Sequence, residues 1–126
     1  MAEKGGVEMA VPDYQSLMLP LLRLSGDGRE HDLREVIDAL AVRFGLTDED
    51  RGELLPSGRQ AKFDNRVGWA RTYLKKAGLL QSPSRGKLCI TERGYEVLRS
   101  DPLQISAKFL RQFPEFVEFQ GGKKEP

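Results

Sequence analysis

The sequence predicts a mainly α-helical domain carrying a small β-hairpin, and three observations lead there. Apolar residues recur at three- and four-residue spacing in three separate stretches between Pro12 and Lys76. Two short runs, Leu79–Ser82 and Lys87–Thr91, then flank the turn-forming Pro83-Ser84-Arg85-Gly86. The 126 residues are 39% hydrophobic and 31% charged, the balance of one ordinary globular core.

The first helix is expected from Pro12 to Leu24, with Tyr14, Leu17, Met18, Leu21 and Leu24 on one face. Pro12 suits a first turn, whereas Pro20 lacks an N–H and is expected to kink the helix or start a second piece. Ser-Gly-Asp-Gly then breaks the chain, and residues 29–31 form a short extended stretch. Asp32 opens the second helix, with Glu35 placed for a capping box, and Leu33, Val36, Ile37, Leu40, Ala41 and Phe44 form its apolar stripe before Gly45. Thr47 caps a shorter acidic helix, TDEDRGELL, which stops at Pro56-Ser57-Gly58. The third main helix spans about Gln60 to Lys76 and is closed by Gly78. After the hairpin come two short helices, about Glu92–Arg99 and Ser106–Phe113, with Asp101-Pro102 between them. The alternation over Phe113–Phe119 reads as extended chain. Residues 1–10 and 120–126 read as flexible tails around a domain at 11–119. Three helices followed by a two-stranded hairpin is the order of a winged helix-turn-helix.

The net charge of +1 hides a strong asymmetry. Residues 1–56 hold 6 Lys/Arg and 12 Asp/Glu, whereas residues 57–87 hold 8 Lys/Arg and one acid, Asp64. Residues 88–126 hold 6 of each. A surface for a polyanion is therefore expected on the third helix and the hairpin. No run approaches the roughly 20 apolar residues of a membrane helix, and the start has no signal-peptide pattern. With one cysteine, Cys89, and one histidine, His31, neither an internal disulfide nor a four-ligand zinc site is expected. A cytoplasmic protein without metal or cofactor is the expectation. Gly-rich phosphate loops and Ser/His/Asp arrangements are missing. Gln60-Ala61-Lys62 has a spacing found in some nucleases, but it opens a helix rather than lying on a strand beside a metal-binding carboxylate.

On a helical wheel, Phe63, Val67, Ala70, Leu74 and Ala77 face the core, and Lys62, Asn65, Arg66, Trp69, Thr72, Tyr73 and Lys76 form the adjoining stripe. A helix of this width fits the major groove of B-DNA. Arg and Lys neutralise phosphates or donate to guanine, and Asn pairs bidentately with adenine. Lys62, Asn65 and Arg66 are the expected groove contacts, with Arg59 and Lys62 at the helix start, where free N–H groups favour a phosphate. Trp69 and Tyr73 lie at the edge of the core face, where packing competes with a DNA contact. Arg71 and Lys75 are expected to pair with acids of the second helix. The turn offers Ser84, Arg85 and Lys87 to the DNA backbone or minor groove.

The stretch from Val11 to about Phe119 resembles the N-terminal domain of Mrr-like restriction system proteins. The residues that carry the resemblance are Asn65-Arg66, Gly68-Trp69-Ala70, Leu74-Lys75-Lys76-Ala77-Gly78-Leu79, Ser84-Arg85-Gly86-Lys87, and Thr91 with Gly94. The resemblance implies a winged-helix DNA-binding domain, normally fused to a nuclease domain of a type IV system that cuts methylated DNA. The chain ends near where a linker to that nuclease would begin, so no catalytic residue and no cleavage are expected of it. The expected partner is double-stranded DNA, methylated DNA included. The alternative is a protein-interaction or homodimerisation module built on the winged helix and on Phe109, Phe113, Phe116 and Phe119.

Overall fold

A computed structural model describes residues 11–121. The first helix, α1 (Tyr14–Leu24), is capped by Asp13, whose carboxylate accepts the Ser16 N–H at 2.7 Å. It continues through Pro20, so no second piece starts there. Leu17, Met18, Leu19, Leu21 and Leu22 are all buried on either side of the proline. Each such side chain contributes about 1.5–3 kcal/mol on burial, so together they outweigh the ~3 kcal/mol cost of an interior proline.

A 3-10 turn at Ser25–Asp27 leads to strand β1 (His31–Asp32). The Asp27 carboxylate accepts the Arg29 N–H and meets His31 Nε2 at 2.8 Å, and these contacts hold its pKa below the usual carboxylate range. Helix α2 (Leu33–Arg43) follows. Asp32 stands at its N-cap, but its side chain makes no capping bond. The expected box with Glu35 is not formed, because the Asp32 carboxylate is turned toward Lys87 Nζ, 3.7 Å away. Helix α3 (Asp48–Gly52) does carry a reciprocal capping box, between Thr47 and Asp50, and is shorter than its acidic sequence suggested.

Helix α4 (Lys62–Lys76) is followed by strands β2 (Leu80–Gln81) and β3 (Lys87–Ile90). The extended stretch expected at 29–31 falls at His31–Asp32 and joins the hairpin, giving an antiparallel sheet in the order β1-β3-β2. His31 pairs with Leu88 and Asp32 with Lys87, while Leu80 pairs with Ile90 and Gln81 with Cys89. Helix–strand–helices–hairpin with this strand order is a winged helix-turn-helix.

Helices α5 (Glu92–Arg99), α6 (Ala107–Leu110) and α7 (Pro114–Gly121) complete the described chain. The segment expected to be extended over Phe113–Phe119 is therefore helical. Its aromatic residues stand three apart, the spacing of one helix face, and Pro114 sits at the first helical position, where its missing N–H costs nothing. Phe116 is fully buried and Phe113 and Phe119 pack half-buried against the core. Gln120 and Gly121, expected in a tail, finish this helix; the rest of both expected tails lies outside the described residues.

The core sits between α1, α2 and α4, where Leu17, Leu21, Leu40, Phe63, Val67 and Leu74 are wholly inaccessible to solvent. Helix α5 closes the far side of the hairpin. The Thr91 hydroxyl accepts the Gly94 N–H and donates to the Gly78 carbonyl at 2.6 Å, fastening α5 to the end of α4. A Cβ on Gly94 would run into the Leu79 carbonyl and lie 2.6 Å from Ile90 Cγ1. Gly94→Ala is therefore expected to lower stability by about 1–3 kcal/mol through overpacking. Urea unfolding checks this: the midpoint should fall with an unchanged slope, and an unaltered midpoint would show that α5 is not tightly seated.

Candidate nucleic-acid interface

Helix α4 forms because its apolar positions 63, 67, 70 and 74 recur at helical spacing and all are buried. Its N-cap, Ala61, has no side chain able to cap. The preceding loop compensates. Leu54 bridges to Ala61, the Leu55 N–H donates to the Gln60 carbonyl at 3.0 Å, and the Lys62 N–H donates to the Glu53 carbonyl at 2.7 Å. This hairpin-like loop, unexpected from Pro56-Ser57-Gly58, carries Arg59 exposed near its tip. Asp64 in the first turn and Lys75 and Lys76 in the last complement the helix dipole.

The expected site residues divide into three groups. Arg59, Ser84 and Arg85 are exposed, and neither arginine has a carboxylate partner among the described residues. The wing turn that holds Ser84 and Arg85 is kept short by Gly86, which takes φ +76°, and by the Lys87 N–H donating to the Ser84 carbonyl at 3.1 Å. It is tied to the start of α2 by the Leu33 N–H, which donates to the Gly86 carbonyl at 2.9 Å.

A second group is at the surface but partnered. Lys62 Nζ lies 2.7 Å from Glu53 Oε2, and Lys87 Nζ 3.7 Å from Asp32 Oδ2. Such partly exposed pairs contribute only about 0–1 kcal/mol, so either lysine can exchange its carboxylate for a phosphate at small cost. Asn65 Nδ2 donates to Gln60 Oε1 at 3.2 Å. Lys76 Nζ stands over the Phe119 ring, 5.4 Å from its centroid.

The third group corrects the sequence reading. Tyr73 is 1% exposed and touches Tyr14, Trp69, Phe116 and Phe119 edge-on, with centroids 5.0–6.2 Å apart. It is a core residue and presents no surface to DNA, because α7, read as extended, packs over that flank of α4. Trp69 keeps a half-buried position beside it. Arg66 reaches back across the fold, and its guanidinium donates to the carbonyls of Val11 (3.0 Å) and Pro12 (3.3 Å). It anchors the N-terminal segment rather than standing free.

Arg71 and Lys75 do not pair with α2 acids. The ion pair between those helices is instead Arg34 with Asp64, at 3.1 Å. Arg71 Nε is buried without an acceptor. Partial burial, and then the positive charges of Arg71 and Lys76, push the Lys75 ammonium below the usual lysine pKa. Of the three cations on the last turns of α4, Lys76 was expected on the DNA-facing stripe, whereas Arg71 and Lys75 beside it were missed. The signal was in the sequence, since Arg71, Lys75 and Lys76 fall within six residues that contain no acid. Alongside them a cavity of about 320 Å³ runs on the α4 surface, from Gln60 and Asn65 past Gly68, Trp69 and Thr72 to Phe119. No cluster of His, Cys, Asp or Glu able to hold a metal occurs among the described residues, and no described helix is long and apolar enough to cross a membrane.

Residues 14–100 match the family model of the Mrr N-terminal domain. The chain belongs to that family. It is also 42% identical, over 95 residues, to the type IV methyl-directed restriction enzyme EcoKMrr of Escherichia coli (strain K12). That alignment takes in 75% of this chain and 31% of the relative, so the chain spans about a third of the enzyme it resembles. No solved structure matches. In this Mrr N-terminal domain the matched region covers α1 to α5, and α6 and α7 lie beyond it.

The Arg66 anchor and the exposed Arg85 make opposite predictions. Arg66→Ala is expected to lower the urea midpoint, because two carbonyls lose their charged donor, worth about 1.5–3 kcal/mol. Arg85→Ala is expected to leave the midpoint unchanged. Equal midpoints for the two variants would remove Arg66 from the fold's support.

Proposed function

We propose that this domain binds double-stranded DNA and serves as the target-recognition part of a type IV restriction protein, with α4 in the major groove and the wing at about 82–88 against the flanking backbone or minor groove. The observation that carries the reading is the gathering of unpaired or readily exchanged cations on α4 and its two adjoining turns. Arg59, Lys62, Arg71, Lys75, Lys76, Arg85 and Lys87 lie there, whereas the first 56 residues are acidic. A polyanion is attracted to this basic segment, which speeds the encounter before contact. An α-helix fits a groove about 12 Å wide, and the N-terminal half of α4 offers Lys62 and the Asn65 amide toward base edges.

Cleavage belongs, in this reading, to the part of the relative outside the matched third. The relative's methyl-directed action makes modified DNA the natural ligand to try. The interaction-module alternative loses its main support, since Phe116 is buried in the domain's own core and Phe109, Phe113 and Phe119 pack on it.

Fluorescence anisotropy of matched unmethylated and methylated duplexes at two salt concentrations tests the proposal. Binding should weaken steeply as salt rises, with Arg59→Ala and Arg85→Ala each reducing the salt slope by about 1. A preference for the methylated duplex assigns modification sensing to this domain; equal affinity makes it a backbone anchor. Absence of binding at low salt overturns the proposal.

A further inference from the structure

Gly68 lies in the middle of α4, where glycine costs stability relative to alanine and neither turns nor caps the helix. Packing gives no reason for it. A Cβ built there meets nothing within 4 Å, unlike Gly94, where a Cβ would collide with the hairpin. The space that Cβ would take belongs to the cavity along α4, which Gly68 lines together with Arg71, Thr72 and Lys76. A glycine without a structural role on a binding helix marks a place where something approaches the backbone closely.

The groups around Gly68 name what approaches. Arg71 and Lys76 line the same cavity, and Lys75 lines a smaller one with Thr72 and Lys76. None of the three has a carboxylate partner among the described residues, and Arg71 Nε is a buried donor without an acceptor. Partial burial, and then the like charge of Arg71 and Lys76, lower the Lys75 pKa, and an anion relieves the second of these. Two cationic side chains, a hydroxyl and an unobstructed stretch of helix are the chemistry of a phosphate site.

We propose that a backbone phosphate of bound duplex DNA seats against α4 at Gly68, held by Arg71, Thr72 and Lys76. The proposal rests on the DNA-binding reading above and extends it to the C-terminal half of the helix. The contact positions the domain and carries no base preference, because every duplex offers the same phosphate.

Gly68→Ala separates this contact from the fold. The variant should melt about 2–4 °C higher, since alanine favours the helix and has room there. It should bind duplexes several-fold more weakly, by the same factor for different sequences and for methylated and unmethylated DNA. Arg71→Ala should show the same uniform loss and lower the salt slope by about 1. Unchanged affinity in both variants, with the parent still binding, overturns the phosphate site and leaves the DNA reading intact. A loss confined to particular sequences, or to methylated DNA, also overturns it and makes Gly68 a base-edge contact. If the parent binds no duplex at any salt, the DNA reading itself fails and takes the site with it.

Discussion

The edge-to-face contacts around Tyr73 set the orientation of the helix on which every proposed contact depends. Its ring meets Tyr14 of α1 at 5.0 Å, Phe116 of α7 at 5.3 Å and Phe119 at 5.7 Å, so three helices converge on one side chain. Aromatic pairs of this geometry each add about 0.5–1.5 kcal/mol beyond burial of their area. The larger consequence is directional. With Tyr73 turned inward, the helical repeat places Gly68, Thr72 and Lys76 outward, and a rotation of one residue step, about 100°, would carry these positions away from solvent. The recognition surface is in this sense the reverse side of an aromatic core.

That core explains what was legible in the sequence. The helices with long apolar stripes, α1, α2 and α4, and the Pro-Ser-Arg-Gly turn were readable because periodicity and turn chemistry are local. The third strand was visible only as a short extended stretch, since two residues are too few to show alternation. The helix continues past Pro20 because the proline's penalty is local while the burial that offsets it is tertiary. Helix α7 was misread because Phe113, Phe116 and Phe119 fit more than one pattern, and only Tyr73 behind them decides between them. On α4, residue type pointed to the right helix but not to each residue's role. Tyr73 and Arg66 look like ligands on a wheel, and each is claimed by a partner more than fifty residues away in the chain or by the core.

The charges follow a comparable logic. Several charges of the first half are matched across elements, as in Arg51 with Asp38 and Arg34 with Asp64. Among the described residues the last turns of α4 lack such matching, and the domain tolerates a partly buried lysine beside an arginine there. Uncompensated charge of this kind is a standing cost to the free fold that vanishes when a counter-charge arrives, so affinity and stability trade directly through those side chains.

The hold of Arg66 on the Val11 and Pro12 carbonyls makes these two residues a counterweight to the helix they border. A version of the chain shortened past Pro12 would lose the buried Val11 side chain and at the same time set one more guanidinium loose beside the proposed binding stripe. Such a protein would be less robust yet stickier toward any polyanion, so the choice of starting residue alone would shift apparent DNA affinity without altering a single proposed contact.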